Sequence, residues 1–227
     1  MKISLKTAIL ILSMSSTVYQ KFGKRGIDIL FSLFGLIFLW PIFLVIAVLI
    51  KLDSPGPVFF RQKRAGKDGK VFTFYKFRNM VKDAEKLKRK YFHLNEANGP
   101  VFKIRDDPRY TRVGKFLSHT GLDELPQLLN ILKGEMSLVG PRPLPVDEER
   151  QIPKKWQKKR RQAKPGLACS WLINGAHSLS FDKWMKLDLE DIQKGSPTYD
   201  LTVSLKTIFL GLNLIKKEAQ RTNHFPF

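Results

Sequence analysis

A run of 22 residues without a formal charge, from Ile29 to Ile50, constrains this chain more than any other feature. At about 1.5 Å per residue, a straight helix of this length measures about 33 Å and is long enough to cross a bilayer. Runs this long and apolar are typical of membrane segments, with a buried helix of a soluble protein as the alternative. A secretory signal peptide fits poorly, because the run is too long, begins late and has no small-residue cleavage site after it.

Pro41 lies inside this run and lacks an amide N–H for the carbonyl of Ile37, so we predict a kink or break there. Each leg would then reach only about half of the way across the bilayer. Basic residues flank both ends of the run, whereas a crossing helix usually keeps its basic excess on one side. The residues alone leave two alternatives open: a proline-kinked helix that spans the membrane, and a broken helix that dips in and returns.

The charge balance indicates which partners the surface favours. Forty Lys and Arg stand against twenty Asp and Glu, which gives a formal net charge of +20. Such a field favours nucleic acid, an anionic membrane surface or phosphorylated substrates. The single cysteine, Cys169, permits no internal disulfide, which suits a reducing, cytosol-facing compartment.

Residues 54–80, which follow the apolar run, predict a β-hairpin. They combine Pro and Gly punctuation and a "GKDG" turn with flanking stretches rich in Val, Phe and Tyr. Basic residues recur at every second position of each strand, so each pair would point to one face of the hairpin. These pairs are Arg61 with Lys63, and Lys76 with Arg78. The next segment, residues 81–97, carries mixed charges and predicts a charged surface helix.

A short helix is predicted between Leu125 and Gly134, because leucines recur at helical spacing and Pro126 suits a first helical turn. Asp123 and Glu124 would lie at its N-terminal end, where free N–H groups and the helix dipole stabilise negative charge. A purely structural role as an N-cap is the ordinary explanation. The functional alternative is an ionised aspartate that acts as a nucleophile or, with its neighbour, holds Mg²⁺.

Arg142 stands between Pro141 and Pro143 in "VGPRPLP". A residue before proline is confined to extended conformations, so the backbone that carries this guanidinium is unusually fixed. A fixed arginine suits bidentate recognition of phosphate. A proline-rich turn that happens to carry arginine is an equally good explanation when the segment is taken alone.

Two further segments are candidates for contact with a membrane surface. Residues 153–166 hold seven Lys or Arg and one Trp. They fit a solvated basic helix, a nucleic-acid patch or a helix on anionic headgroups, and the membrane segment favours the last. The amphipathic residues 199–217 predict a docking or interfacial helix, because Lys206 in their interior disfavours a second span.

Several motifs, in this order and spacing, resemble the bacterial sugar transferases known as monotopic phosphoglycosyl transferases. The resemblance covers about residues 21–215, and "GPVFKI" is similar to members that move a hexose phosphate, glucose or galactose. The motifs are "KRGIDIL", "SPGPVFFRQKRAGKDGK", "FTFYKFRNM", "GPVFKIRDDPRYTRVGKFL", "LDELPQLLNILKGEMSLVGPRP" and "KPGL".

Together with the segments above, the resemblance predicts an α+β, mainly helical fold. It implies a proline-broken re-entrant membrane helix, a short β-hairpin and a small cytosolic catalytic domain with interfacial amphipathic helices. The expected divisions are a variable N-terminal segment over 1–20, the re-entrant helix over 21–51, broken at Pro41, and a membrane-associated catalytic domain over 52–227. The expected location is the cytosolic face of the bacterial inner membrane.

The resemblance also implies a reaction. Asp123 would attack the sugar-proximal phosphate of a UDP-sugar, form a phosphosugar-aspartyl intermediate and release UMP. A polyprenyl phosphate, such as undecaprenyl phosphate, would then take the phosphosugar and start lipid-linked glycan or exopolysaccharide assembly. Asp123 and Glu124 would hold a Mg²⁺ cofactor. The cations expected to neutralise the phosphates are Arg64, Lys76, Arg78 and Arg142. The expected partners are these substrates and membrane lipids, not nucleic acid, and homo-oligomer formation is left open.

The chain departs from the family pattern at several positions. Relatives commonly carry Arg at position 118, Gln at 172 and Arg at 176, where this chain has Ser118, Leu172 and Ala176. The remaining departures are Trp40, Asn79 in place of a small hydroxyl residue, and Gly121 in place of Ser. At least two phosphate-facing cations are therefore expected to be absent. The candidates to replace them are Lys103, Arg105 and Arg112.

These departures motivate a second hypothesis, a catalytically impaired relative that acts as a membrane scaffold or as a partner of an active transferase. A third hypothesis is a membrane-tethered nucleic-acid-binding protein, motivated by the net charge and "KKWQKKRR". It is disfavoured, because no helix-turn-helix, zinc or RNA-binding signature accompanies the charge.

Overall fold

A computed structural model describes residues 18–97 and 99–222, apart from the side chains of residues 177 and 222. The segment predicted over residues 1–20 lies almost wholly outside the described residues. Within them the fold is mainly helical with a short β-hairpin, as predicted, and its strands form two small sheets. The three-stranded antiparallel sheet has the order β2-β1-β4, and β3 pairs in parallel with β5.

The elements follow one another with short connections. The helices are α1 (Lys24–Asp53), α2 (Ala84–Leu87), α3 (Arg112–Thr120), α4 (Gln127–Lys133), α5 (Val146–Gln151), α6 (Lys154–Arg160), α7 (Ser170–Ile173), α8 (Phe181–Gln193) and α9 (Pro197–Thr222). The strands are β1 (Phe59–Ala65), β2 (Val71–Phe77), β3 (Ser137–Val139), β4 (Leu144–Pro145) and β5 (Gly166–Ala168). A π-helical turn, Tyr19–Gly23, leads into α1.

Helix α1 contains the apolar run and is 30 residues long. Within the described part of the chain it is the one helix long and apolar enough to cross a membrane. Pro41 lies inside it, and the helix continues on both sides without a break; a kink at Pro41 stays a prediction. A proline removes one backbone hydrogen bond, and the remaining bonds of so long a helix hold the two halves together. The re-entrant course through a bilayer stays a prediction.

Polar contacts tie both ends of α1 to the rest of the protein. Near its N-terminus, Arg25 donates hydrogen bonds to the carbonyls of Ile131 (2.6 Å) and Leu132 (2.8 Å) at the end of α4. At its C-terminus, Arg78 donates to the carbonyl of Ser54 at 2.7 Å. Carbonyls at helix ends lack partners within the helix, so each guanidinium satisfies groups that burial would otherwise leave unpaired.

Apolar contacts hold the length of α1 between those ends. In its first half, Gly35 lies against Leu128 of α4, so closely that a Cβ at position 35 would be 2.9 Å from a Leu128 methyl group. In its second half, Ile46 and Ile50 form a buried cluster with Phe77 and Leu117, from β2 and α3. The helix therefore shares two apolar clusters with the elements that surround it.

The predicted hairpin is confirmed. Strands β1 and β2 pair from Phe59↔Phe77 to Ala65↔Val71, and a 3-10 turn, Lys67–Gly69, joins them. Alternation along the strands puts Arg64 and Lys76 on one face. Arg61 and Lys63 lie on the other face, where Arg61 covers the ring of Tyr75 and Lys63 donates to Thr73.

The helix predicted over residues 81–97 is largely wrong. Only Ala84–Leu87 is α-helical, and Phe92–Leu94 forms a 3-10 turn. Asp83 adopts a left-handed conformation (φ 64°), which prevents a helix from starting at residue 81. Phe92 stacks on Phe102 at a centroid distance of 5.7 Å, so a tertiary contact outweighs the local helix preference.

The helix predicted between Leu125 and Gly134 is confirmed as α4, which ends before Gly134 (φ 81°). The leucine stripe is only partly its buried face, because Leu128 is buried but Leu129 is 37% exposed. Asn130 is buried instead, and its amide donates to the carbonyl of Thr73 and accepts from the N–H of Tyr75. These two hydrogen bonds attach α4 to strand β2.

Helix α9 covers the predicted C-terminal amphipathic segment. Val203 is buried on one side. The other side exposes a stripe of large apolar residues at helical spacing, namely Leu201, Leu205, Ile208, Phe209 and Leu212. This arrangement agrees with an amphipathic helix, and its attachment to a membrane surface stays a prediction.

Gly114 of α3 lies directly on the backbone of Asn79, and replacing it with Ala is expected to destabilise the protein. A Cβ at position 114 would be 2.0 Å from the Asn79 carbonyl oxygen, so the helix or the loop must shift. We expect a loss of about 2 kcal/mol or more in the free energy of unfolding, measured by thermal unfolding. Gly26→Ala is the matched control, because nothing lies within 4 Å of a Cβ there. Equal unfolding temperatures for the two variants would contradict this prediction.

Candidate active site

Asp123 and Glu124 lie in a 3-10 turn, Leu122–Glu124, between α3 and α4. Gly121 precedes the turn with φ 77°, which ends α3 and redirects the chain. Asp123 is 4% exposed, whereas the Glu124 side chain remains 25% exposed. The two adjacent carboxylates therefore occupy different environments.

The carboxylate of Asp123 is held by side chains from the end of the hairpin. Its Oδ2 accepts a hydrogen bond from Nδ2 of Asn79 at 2.8 Å, and Nζ of Lys76 lies 3.9 Å from the same oxygen. Lys76 also donates to Oδ1 of Asn79 at 3.2 Å. Helix α4 has no side-chain N-cap, so the ordinary structural role considered for Asp123 does not apply.

Arg142 reaches Glu124 from the opposite side, with Nη2 3.3 Å from Oε1 of the carboxylate. The guanidinium lies over the ring of Trp171, 4.7 Å from its centroid. The Arg142 backbone is fixed as well, because its N–H donates to Asp188 and its carbonyl accepts from Arg160. The rigid arginine predicted from the flanking prolines is therefore present and beside the acidic pair.

Arg64 completes this group of cations from strand β1. It stacks on Phe74, 3.8 Å from the ring centroid, and donates to the carbonyl of Pro143 at 2.7 Å. This hydrogen bond joins the hairpin to the segment that carries Arg142. The two guanidinium groups are close enough to repel one another, since burial and the charge of Arg142 lower the pKa of Arg64 to about 10. Two adjacent guanidinium groups, of which only Arg142 pairs with a carboxylate among the described residues of this site, favour a further anionic ligand.

Burial sets the protonation behaviour of the acidic pair. Burial raises the pKa of Asp123 to about 6, while the charge of Lys76 opposes this rise. Burial also raises the pKa of Glu124, but Arg142 and Arg64 outweigh it and hold that pKa below its ordinary value. Burial lowers the pKa of Lys76 to about 8. At neutral pH both carboxylates are therefore mainly ionised, within a group of cations that contains little water.

Of the three cations considered as replacements for the missing arginines, Lys103 is the one that the structure brings to the acidic pair. Burial and the charge of Arg142 lower its pKa, while Asp123 and Glu124 oppose that change. In the described part of the chain, Arg112 is exposed and no contact joins it or the Arg105 side chain to the acidic pair.

Replacing Lys103 with Met is expected to raise the concentration of an anionic donor needed for half-maximal binding by about tenfold. The substitution keeps the length of the side chain and removes one charge near the acidic pair, a loss of about 1.4 kcal/mol. Isothermal titration with the UDP-sugar donor that the family resemblance implies would measure it. Lys186→Met, at an exposed position of helix α8, is the matched control, and equal affinities for both variants would contradict the prediction.

Arg78 is not among the cations around the acidic pair, contrary to our expectation. Its Nη1 donates to the carbonyl of Pro55 and its Nη2 to the carbonyl and hydroxyl of Ser54. Alternation predicted that Arg78 would share a face with Lys76, but the strand ends at Phe77 and the chain turns. Arg78 therefore closes the end of α1, and the structure does not bring it to the acidic pair.

The remaining departures from the family pattern contribute no charge to this site. Ser118 forms a hydrogen bond with the hydroxyl of Tyr110 at 2.8 Å. Leu172 and Ala176 pack against the cluster that contains Trp171 and Trp184. The sequence analysis did not anticipate the stacking of Arg142 on Trp171, and it treated Asn79 only as a departure from the family pattern. The contacts of Arg142 with Trp171 and of Asn79 with Asp123 have no local signal in the sequence, because each joins residues far apart in the chain.

The acidic pair has the chemistry of a Mg²⁺ site. Mg²⁺ usually takes one or two carboxylates from the protein and completes its coordination with water and substrate phosphates. Beside Glu124, the amide of Gln127 is buried; its hydrogen bond to Glu124 helps to lower the pKa of that carboxyl, and its oxygen has no hydrogen-bond partner among the described residues. No cluster of three or more His, Cys, Asp or Glu suited to a metal occurs within the described ranges. The donors present therefore fit a cation shared with a substrate, not an all-protein cage.

Comparison with known proteins agrees with this geometry. Residues 19–213 match the family described as bacterial sugar transferase. Galactosyl transferase CpsE of Streptococcus agalactiae is 41% identical over 193 residues, which are 83% of this chain and 42% of that protein. Exopolysaccharide production protein ExoY of Sinorhizobium fredii is 37% identical over 82% of this chain and 84% of its own length.

A third relative is named for its substrates. The UDP-glucose:undecaprenyl-phosphate glucose-1-phosphate transferase of Escherichia coli is 38% identical over 197 residues, which are 83% of this chain and 40% of that protein. The chain thus spans less than half of the streptococcal and Escherichia coli relatives, and most of the rhizobial one. Because the family match covers most of the chain, the protein belongs to the bacterial sugar transferase family.

Proposed function

We propose that the protein transfers a sugar 1-phosphate from a UDP-sugar to a polyprenyl phosphate through a phosphosugar-aspartyl intermediate, and so initiates lipid-linked glycan or exopolysaccharide assembly. The observation that carries this proposal is Asp123, a buried carboxylate beside Lys76, with Arg64 and Arg142 grouped around Glu124. The names of the rhizobial and Escherichia coli relatives support the substrate class and the role in polysaccharide production.

In the first step, an oxygen of Asp123 forms a bond to the sugar-proximal phosphorus of the UDP-sugar. The bond from that phosphorus to the bridging oxygen breaks, and UMP leaves with the electron pair. A carboxylate that is already ionised needs no general base for this attack. Arg142 and Arg64 stabilise the negative charge on the phosphoryl oxygens, and Lys76 stabilises the charge that develops on the leaving UMP.

In the second step, a phosphate oxygen of the polyprenyl phosphate attacks the same phosphorus. The bond to Asp123 breaks, the carboxylate is restored, and the product is a polyprenyl diphosphate sugar. The same cations then neutralise the lipid phosphate. One set of residues therefore serves both half-reactions, which suits a site that exchanges UMP for a lipid phosphate.

Asp123 and Glu124 are the residues that would hold the proposed Mg²⁺ cofactor, with the Gln127 oxygen as a further donor. When bound, Mg²⁺ would withdraw charge from the donor's diphosphate. Glu124 remains ionised because of Arg142 and Arg64, so it is able to bind a cation over a wide pH range.

We also propose that α1 enters the cytosolic side of the bacterial inner membrane and returns to it. The contacts of Arg25 at one end of α1 and of Arg78 at the other support this course, because polar groups of one compact body hold both ends. If α1 crossed the bilayer, that body would have to contact it on both sides of the membrane. This course would keep Asp123 near the depth of lipid phosphates.

The proposed function is tested with wild-type protein in detergent, Mg²⁺ and a panel of UDP-sugars that carry ³²P in the sugar-proximal phosphate. We expect UMP release with one sugar, ³²P bound to the protein when acceptor is absent, and loss of that label when undecaprenyl phosphate is added. Donor binding without UMP release or labelling across the panel would overturn the proposal. It would support the scaffold alternative suggested by Ser118, Leu172 and Ala176.

A further inference from the structure

The proposed mechanism leaves one close neighbour of Asp123 unused. Asn79 is 3% exposed, and both ends of its amide are engaged. Nδ2 donates to Oδ2 of Asp123 at 2.8 Å, and Oδ1 accepts from Nζ of Lys76 at 3.2 Å. The Asn79 amide therefore bridges the Asp123 carboxylate and the Lys76 ammonium.

The backbone around Asn79 is also fixed. Its carbonyl accepts a hydrogen bond from the N–H of Thr111 at 3.2 Å, and Gly114 packs against the same carbonyl without room for a Cβ. Thr111 in turn accepts from the N–H of Gly114 and caps helix α3. The first turn of α3 thus sets where the amide of Asn79 lies.

The hydrogen bond from Asn79 makes the two oxygens of Asp123 unequal. Oδ2 is occupied by Asn79 and faces Lys76, whereas no group of the described residues donates a hydrogen bond to Oδ1. We propose that Asn79 is a positioning residue that holds Oδ2 of Asp123 and thereby leaves Oδ1 as the attacking oxygen. This inference rests on the proposed function, since it assumes that Asp123 is the nucleophile.

An amide suits this position because it donates and accepts at the same time. It keeps the Lys76 ammonium 3.9 Å from the carboxylate, outside direct hydrogen-bonding distance. A closer ion pair between Lys76 and Asp123 would make the attacking carboxylate less nucleophilic. It would also use hydrogen bonds of the ammonium that a phosphate oxygen could otherwise accept. With the amide between them, Lys76 retains hydrogen-bonding capacity for a phosphate oxygen.

The matched variants are Asn79→Thr and Asn79→Val, which have nearly the same shape and differ in one hydroxyl. A hydroxyl also donates and accepts, and relatives commonly carry a small hydroxyl residue here. We expect Asn79→Val to lower kcat for UMP release by about 30-fold with KM changed less than about twofold, since a positioning residue acts through Asp123 and not on the donor itself. We expect Asn79→Thr to recover at least about fivefold of that loss. Equal kcat values for the two variants, or a change confined to KM, would overturn the inference.

Thermal unfolding tests the contact without turnover. Asn79→Val is expected to lower Tm by about 5 °C in the wild-type background, because it leaves a buried carboxylate without its donor. In an Asp123→Ala background the same substitution is expected to lower Tm by less than about 2 °C. Equal shifts in both backgrounds would overturn the inference. Wild-type protein that releases no UMP would instead overturn the proposed function, and the two Tm shifts would still decide whether Asn79 holds Asp123.

Discussion

Asp123→Asn is expected to lower the rate of UMP release by at least about 10³-fold, the largest effect that we predict. The substitution keeps the size of the side chain but replaces the attacking oxygen's charge with a neutral amide. It also turns an acceptor that faces Asn79 and Lys76 into a mixed donor and acceptor. The ³²P label on the protein is expected to disappear along with UMP release.

The control for this variant is Glu190→Gln, which removes a carboxylate from an exposed i,i+4 ion pair with Lys194. We expect its rate and its Tm to match those of the wild-type protein. UMP release by Asp123→Asn within about tenfold of the wild-type rate would mean that Asp123 is not the nucleophile. A folded Asp123→Asn variant, verified by its Tm, is required for either conclusion.

Arg142→Lys is expected to lower kcat/KM by about 10²-fold, even though it keeps the positive charge. An ammonium cannot form the fork with a phosphate, nor lie flat on the ring of Trp171 as the guanidinium does at 4.7 Å. It is also expected to lose the contact with Glu124, whose charge Arg142 stabilises. The kcat/KM of Arg142→Ala is expected to be at most about tenfold lower than that of Arg142→Lys.

Initial rates over a range of UDP-sugar concentrations would measure both Arg142 variants. Arg221→Lys provides the matched control, because Arg221 is exposed near the end of α9 and pairs with Glu218. Near wild-type kcat/KM for Arg142→Lys would show that charge alone suffices at this position. The planar, stacked geometry would then have no role in catalysis.

The parts of the fold that the sequence predicted are those with strong local signals. The hairpin has alternating residues and a Gly-rich turn, and α4 has Pro126 at its start and Gly134 at its end. The segment 81–97 lacked such signals, and its charges were consistent with a helix that the left-handed Asp83 prevents. A break at Pro41 is not seen, because a single missing hydrogen bond does not interrupt so long a helix, and a kink there stays a prediction.

Site residues that lie within a short motif could be predicted from the sequence. Contacts between residues far apart in the chain could not. Asp123, Glu124 and Arg142 stood out from their neighbouring residues, and the family resemblance gave them their expected roles. Arg78 was misplaced because strand alternation stops at Phe77, and only the tertiary structure shows that the guanidinium closes α1. The contact of Asn79 with Asp123 spans 44 residues, so no periodicity in the sequence reports it.

The contact between Gly35 and Leu128 has a mechanical consequence. Leu128 lies in the first turn of α4, a few residues after the carboxylate of Asp123, and it seats directly on α1. If α1 moved into or out of the bilayer by one helical turn, about 5.4 Å, α4 and the proposed nucleophile Asp123 would therefore move with it. In the proposed membrane arrangement, the depth to which the apolar residues of α1 insert into the lipid therefore sets the height of Asp123 relative to the layer of lipid phosphates.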